Sequence, residues 1–384
     1  MKKILSISLL CALLLTGCQS GGGSEPSEST ASESSTSVSA SSESAAESAP
    51  ESSEAESSYT FTDSLGREFT FDGPVDAVAP SGLLSQLVIY AAAPDTLVGW
   101  SNEWTSGAEQ YIPEEYRSLP LIGQIYGTNT EFSVEELLAH DPDIVLDIGE
   151  PKDGMAEDFA ALEEQTGIPF VHIDATLETM PEAFTMIGEL LGIEETAAVY
   201  ADYCDEVYSR TLEIMDQVGE DKTSVLYLTG DDGLNVIANG SYHAEILDLI
   251  GDNAAVVDEP SSKGTGNETD MEQIMLWDPE VIFFAPGSVY DTAASDPLWQ
   301  GLSAIQSGQY YEVPSGPYNW MGFPPSIQRY LGMMWMEKVL YPQHADFDLM
   351  EEVQRYYDLF YHYDLSEEEY AQLTERSLPY TGCI

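Results

Sequence analysis

Between Ile193 and Val218, apolar or small residues recur at Ile193, Ala197, Tyr200, Cys204, Val207, Thr211, Ile214 and Val218, in alternating steps of four and three. That spacing is one face of a helix, and no Gly or Pro interrupts it. At 1.5 Å per residue, about 25 residues make a rod of roughly 37 Å, long enough to cross a small domain. Tyr203, Tyr208, Leu212 and Met215 widen its apolar face. Shorter runs of helical and extended pattern alternate on both sides. The segment YTFTDSLGREFTF, from Tyr59, alternates about Gly66 as a hairpin does. Residues 77–80 and 96–99 read as extended, around a helical stretch ending at Ala93. Helix at 133–140, strand at 143–148, helix at 156–166 and strand at 169–173 follow. Beyond the long helix come strands at 224–229, 234–238, 255–257 and 281–285, with helices at 243–250 and 271–277. This alternation predicts an α/β fold. Its two lobes are joined by one long rigid helix, a strut rather than a hinge.

A repeat supports the two lobes. SVEELLAHDPDIVL (133–146) matches DMEQIMLWDPEVIF (270–283), each a cap, a short helix, an Asp-Pro stop and an apolar strand. Ser133 with Glu136, and Asp270 with Gln273, have the spacing of a reciprocal capping box. Pro142 and Pro279 end the helices. Glu135 and Glu272 are left over from the capping. The residues alone leave two roles open for them: favourable contact with the helix dipole, or a matched pair of acidic knobs for a two-fold partner.

The amino terminus changes the picture of where the chain works. Lys2 and Lys3 precede an apolar run from Ile4 to Leu15, too short to span a bilayer, which reads as a secretion signal. It ends in Leu15, Thr16, Gly17 and Cys18, which resembles the processing box of bacterial lipoproteins; Cys18 would carry the lipid and become the first mature residue. Two acyl chains give a stable anchor. Residues 19–58 collapse to Ser, Glu, Ala, Gly and Pro, a composition that stays disordered. As a flexible tether it would span roughly 35 Å. The expected organisation is a signal at 1–18, a tether at 19–58, an N-terminal lobe at 59–178, linking helices at 179–219 and a C-terminal lobe at 220–384.

The 68 acidic and 12 basic residues of the 384 give a formal charge of −56. Such a surface repels phosphate backbones, which argues against nucleic acid as a partner. The four Cys (Cys11, Cys18, Cys204, Cys383) form no CxxC, and the five His are scattered, so neither a structural zinc site nor another resident metal or cofactor is expected. Cys204 and Cys383 would form a disulfide if the C-terminus folded back onto the long helix.

Several segments resemble a known family in order and spacing: Asp63 to Arg67, the two Glu-containing helices with their Asp-Pro stops, Leu190 to Ile193, Ala304 to Tyr310, and Leu340 to Pro342. Together they cover nearly everything from Tyr59 to Pro342. The chain resembles the substrate-binding proteins of bacterial ABC importers that handle iron–siderophore complexes, haem and corrinoids. The resemblance implies ligand held in a cleft between two lobes, and Glu135 and Glu272 docked on basic residues of a paired permease with its ATPase. It implies a monomer anchored outside the cytoplasm, carrying a metal chelate and catalysing nothing.

Ligands of α/β lobes collect beyond the carboxyl ends of strands. Loops there offer Trp100, Asn102, Trp104 and Tyr126 in the first lobe, and Tyr242, His243, Tyr290, Asn319 and Trp320 in the second. Flat aromatic rings with a polar tip suit a large chelate. The same rings could equally be core residues, as Trp277, Trp299 and Trp335 are expected to be. Arg329 could bind an anionic chelate, although a carboxylate of this acidic chain is the competing partner. His243 could touch a metal centre or serve only as a cap.

Two other readings of the same transport role are an oxyanion such as molybdate and a bare metal ion; the latter needs convergent ligands that scattered histidines do not supply. A different class, a lipid-anchored hydrolase using a carboxylate pair, rests only on the abundance of acids. No GxSxG, HExxH or Gly-rich phosphate loop supports it.

Overall fold

The computed structural model describes residues 58–126, 130–322 and 324–379. The expected signal, the Cys18 expected to carry lipid and the expected tether fall outside them, apart from Ser58, and so does Cys383. Cys204 is a free thiol, completely buried.

The hairpin forms as its alternation predicts, β1 (Tyr59–Thr62) pairing antiparallel with β2 (Glu68–Phe71). Next come β3 (Val78–Pro80), α1 (Leu83–Ala92), α2 (Glu114–Arg117), α3 (Val134–His140), β4 (Ile144–Ile148), α4 (Met155–Thr166) and β5 (Phe170–Ile173). Strands β3, β4 and β5 make a parallel sheet in that order. All three are buried along their whole length, as strands covered on both faces are, and their two polar residues, Asp147 and His172, meet each other at 2.7 Å. The expected strand at 96–99 is reduced to a bridge between Leu97 and Val78.

Then α5 (Met180–Leu191) ends at the left-handed Gly192, and α6 (Glu194–Val218) follows at once. The helix buries Ala197, Tyr200, Tyr203, Cys204, Val207, Thr211, Ile214, Met215 and Val218, the predicted face. Leu212, expected to widen that face, is instead exposed.

The second lobe contains β6 (Ser224–Thr229), β7 (Asn235–Val236), α7 (Glu245–Ile250), β8 (Asp252–Asn253), β9 (Asn267–Glu268), α8 (Met271–Trp277), β10 (Val281–Phe284), α9 (Tyr290–Ala293), α10 (Ser303–Ser307) and β11 (Tyr310–Glu312). Parallel strands β11, β10 and β6 run in that order from one edge of the sheet, with β8 parallel to β6, and β7 antiparallel to β6 and β9. No strand forms at 255–257; the pairing falls to β8. The repeated motif is closely reproduced in backbone: Asp141 after α3 and Asp278 after α8 both take left-handed conformations, φ 46° and 35°. Only half of each capping box exists. Ser133 and Asp270 accept from the N–H of Glu136 and Gln273, but the Glu136 carboxylate reaches His140 instead (3.8 Å).

The chain closes with α11 (Arg329–Leu340), α12 (Leu349–Tyr361) and α13 (Glu367–Thr374). The tyrosines of α12 pack against both lobes. On the first lobe, Tyr90 Oη donates to Tyr361 O (3.4 Å), and Tyr200 Oη of α6 sits between Ala91 O (2.5 Å) and Leu359 O (3.1 Å). On the second, Tyr357 Oη donates to Gly316 O. Glu312 N donates to Arg376 O (3.0 Å), and Trp335 Nε1 to Ser377 O (2.6 Å). The last helices therefore form a brace across both lobes, alongside α6.

Candidate functional site

A cavity of about 330 Å³ opens where the first lobe meets the carboxyl ends of β6 and β10 and the loop after β11. Such crevices are where α/β sheets bind ligands. Tyr227 and Thr229 come from the end of β6, Pro286 follows β10, and Ser315, Tyr318 and Asn319 come from the loop after β11. That loop is held by hydrogen bonds within itself, to β6 and to the facing lobe. Asn319 Nδ2 donates to Tyr227 Oη (2.9 Å), and Asn319 Oδ1 accepts from Met321 N (2.7 Å). From the facing lobe, Thr105 Oγ1 donates to Pro317 O (2.9 Å). Tyr318 is 5% exposed, and its hydroxyl has no hydrogen-bond partner among the described residues. Burial raises the Tyr227 and Tyr318 phenols above their ordinary range, so both are neutral hydroxyls at neutral pH.

Thr105 also borders a second groove of about 330 Å³, walled by Trp104, Leu121 and Arg117. The half-buried Trp104 ring meets Trp100 edge-on (4.7 Å) and lies 6.2 Å from the Tyr318 ring. Trp104 and Asn319 thus line two adjoining grooves that share Thr105.

Tyr242, His243 and Arg329 gather elsewhere between the lobes. Arg329, 4% exposed, pairs with the Glu245 carboxylate, donates to Tyr242 O (2.9 Å) and lies 5.0 Å above the Tyr242 ring. Glu245 also accepts from Leu177 N (3.2 Å), the approach to α5. Of the two partners weighed for this cation, an anionic chelate and a carboxylate of the chain, the structure supplies the carboxylate. Burial and the Arg329 charge lower the His243 imidazole. Burial and Glu245 raise Glu150, which extends from the other lobe. Tyr242 is pushed up to about 12, by burial first.

The remaining residues are dispersed. Trp100 and Trp320, expected to show their rings in the cleft, are 2% and 0% exposed and belong to the core. Loop position drew attention to them, but their indoles are large enough to be swallowed by the layer beneath; Trp100 Nε1 donates to Tyr116 O (2.5 Å). Asn102 is buried, bonded to Gln124 (3.0 Å) and Gln86 (3.1 Å). Tyr126 donates to Asp158 (3.0 Å), and Tyr290 lies under Arg376 (5.7 Å) at the edge of the second lobe. Trp299 and Trp335 are buried as expected, and Trp277 is half-buried. Sequence reasoning passed over Tyr227, Thr229 and Tyr318; the last stands beside Asn319 in a loop already singled out. Glu135 and Glu272 are exposed at the starts of their matched helices. Among the described residues, no group of three or more His, Cys, Asp or Glu side chains gathers as a metal site.

The profile of the family described as Periplasmic binding protein matches residues 97–317. The chain is 24% identical to the molybdate-binding protein MolA of Haemophilus influenzae over 329 residues, 78% of this chain and 90% of that protein. It is also 24% identical over 191 residues to the Fe(3+)-citrate-binding protein YfmC of Bacillus subtilis, 49% of this chain and 58% of that one. Among solved structures, an ABC transporter solute binding protein from Sulfurospirillum deleyianum superposes with a TM-score of 0.76 at 27% identity, covering 82% of this chain and 99% of that one.

Proposed function

This chain belongs to the periplasmic binding protein family, and we propose that it is the lipid-anchored receptor of an ABC importer for a compact metal chelate. The ligand sits in the cavity between Thr105 and the loop carrying Tyr318 and Asn319, and no bond within it is made or broken. The observation that carries this reading is the cavity itself, lined from both lobes at the carboxyl ends of β6 and β10. At about 330 Å³ it lies at the small end of ligand sites. That size favours a compact chelate over haem or a corrinoid. The relatives that bind Fe(3+)-citrate and molybdate point to cargo of similar bulk. The chelate is favoured over a bare ion because no metal-ligand group gathers among the described residues. Cys18 carries the anchor, and the tether holds the lobes off the membrane. Glu135 and Glu272, one on each lobe, meet basic residues of the permease pair.

A thermal-shift panel of ferric chelates, haem, cobalamin and molybdate tests this. A true ligand raises the melting temperature with its concentration, by about 2.7 kcal/mol of stabilisation at a hundred times Kd. A shift with haem or cobalamin alone would remove the compact-chelate assignment. No shift with any member, together with hydrolysis of a glycan, would remove the receptor.

A further inference from the structure

The helices that carry Glu135 and Glu272 expose more than acids. Resting on the permease docking proposed above, we infer that each docking point is a glutamate with an aliphatic neighbour. The partner then offers an apolar hollow beside each of its cations, and α8 makes the stronger of the two contacts.

Eight large apolar side chains are exposed among the described residues. Three of them, Leu138, Met275 and Leu276, lie on the seven-residue helices α3 and α8. One exposed leucine needs no explanation, but matched positions do. In the register of the repeat, Leu138 corresponds to Met275 and Ala139 to Leu276. Leu137 and Ile274, one residue earlier, are the fully buried pair. At about 100° per residue, each glutamate and the residue four later stand opposite that buried side chain. Leu138 and Met275 stand beside them. Each copy of the repeat therefore joins an acid to an aliphatic group on its outward face.

Charge selects the partner. A second copy of this chain would set Glu135, Glu136 and Glu272 against the same acids, and an anionic lipid surface would repel them. A cation beside an apolar hollow satisfies both features of each helix. A partner with two-fold symmetry offers that combination twice.

The two contacts are unequal. Leu276 is 74% exposed, the most of the eight, and Met275 adds to it at 41%. On α3, Leu138 is 47% exposed, and a methyl group at Ala139 stands where α8 has its leucine. The other exposed groups of α3 are polar, Glu136 and His140, 3.8 Å apart. Burial of aliphatic surface stabilises in proportion to its area, whereas exposed charges are screened by salt. The second lobe thus supplies the anchor and the first lobe the register.

The test uses the full-length protein in its own cells. A photo-reactive residue, p-benzoylphenylalanine, replaces Leu138 in one variant and Met275 in another, and adducts are identified by peptide mass. Both positions should label the same peptide of one membrane protein, because a two-fold partner presents one surface to both helices. Each reporter then reads a substitution on the opposite helix. Leu276→Ser should cut the adduct yield from position 138 about tenfold, and Leu138→Ser the yield from position 275 about twofold. Both side chains are exposed, so the melting temperature and the ligand-induced thermal shift should not move. Leu276→Gln, which suits a helix better, repeats the measurement should the serine unsettle α8. Different peptides from the two positions overturn the two-fold partner, and so do adducts to lipid or to another copy of this chain. Equal losses, or none, overturn the anchor. Loss of adducts in Glu135→Lys with Glu272→Lys, but not in Leu276→Ser, keeps the docking and sinks only the apolar contact. Absence of any membrane-protein adduct from either position removes both.

Discussion

Glu337 lies on α11 with no exposed surface. Burial pushes its carboxyl up to about 7, against opposing pulls from Thr211, Arg210 and Lys338. An acid whose folded pKa lies above its unfolded value holds its proton more tightly when folded. Its contribution to stability is therefore complete below about 4.5 and lost as pH rises to about 7. The shift corresponds to about 3 kcal/mol. Glu337→Gln should remove that part of the pH dependence, so that urea unfolding at pH 5 and pH 8 differs less than in the parent protein. Equal differences in both would show that Glu337 titrates normally. No sequence pattern marks this Glu as buried, because periodicity marks a face and not what covers it. Trp100 and Trp320 failed for the same reason: both were correctly placed in loops, and the depth of those loops is decided by residues far away in sequence. Tyr318 was missed because nothing local separates a phenol that finds a partner from one that does not.

Elements were far more legible than residues. The hairpin, α3, β4, α4, β5, α6, α8 and β10 form within a residue or two of the spans their periodicity predicts. The repeat also shows in backbone detail, through the left-handed Asp141 and Asp278. The strands that failed, at 96–99 and 255–257, are short edge segments whose pairing depends on a neighbour more than on composition. What no pattern shows is how closely elements approach. A Cβ on Gly332 of α11 would lie 2.3 Å from Trp320 O and 2.6 Å from Ile246 Cδ1. This glycine lets α11 press against the loop that presents Tyr318 and Asn319. A Cβ on Gly188 of α5 would meet Ala197 of α6 at 2.8 Å, a similar crowding far from the loop. Gly332→Ala and Gly188→Ala should each cost about 1–3 kcal/mol through overpacking. Only Gly332→Ala should also lower ligand affinity, because it moves the cavity wall. Equal affinities in the two variants would mean that the loop does not contact ligand.

At the scale of the molecule, two elements set how the lobes stand: α6, and the brace formed by α12 and α13. The strut was visible in sequence as an unbroken apolar stripe. The brace has no such stripe to announce it, because hydrogen bonds to Tyr90, Gly316, Glu312 and Trp335 are long-range facts. Together they resist changes in lobe spacing, since bending either breaks backbone or tyrosine hydrogen bonds and uncovers buried aromatic surface. A receptor so held presents α3 and α8 at nearly constant separation, with or without ligand. Glu135 and Glu272, exposed on those helices, then form a fixed two-point charge pattern. Complementary charge sets register and encounter rate more than it sets affinity. Reversing both, Glu135→Lys with Glu272→Lys, should therefore abolish uptake in cells while leaving calorimetric ligand affinity unchanged. Stability should fall only by the helix-dipole contribution, about 0.3–1 kcal/mol for each site. Each single reversal should retain partial uptake, because one contact survives. Normal uptake by the double variant would remove the docking assignment. A loss of ligand affinity instead would place these acids in the ligand cleft and overturn the arrangement of lobes on which their pairing rests.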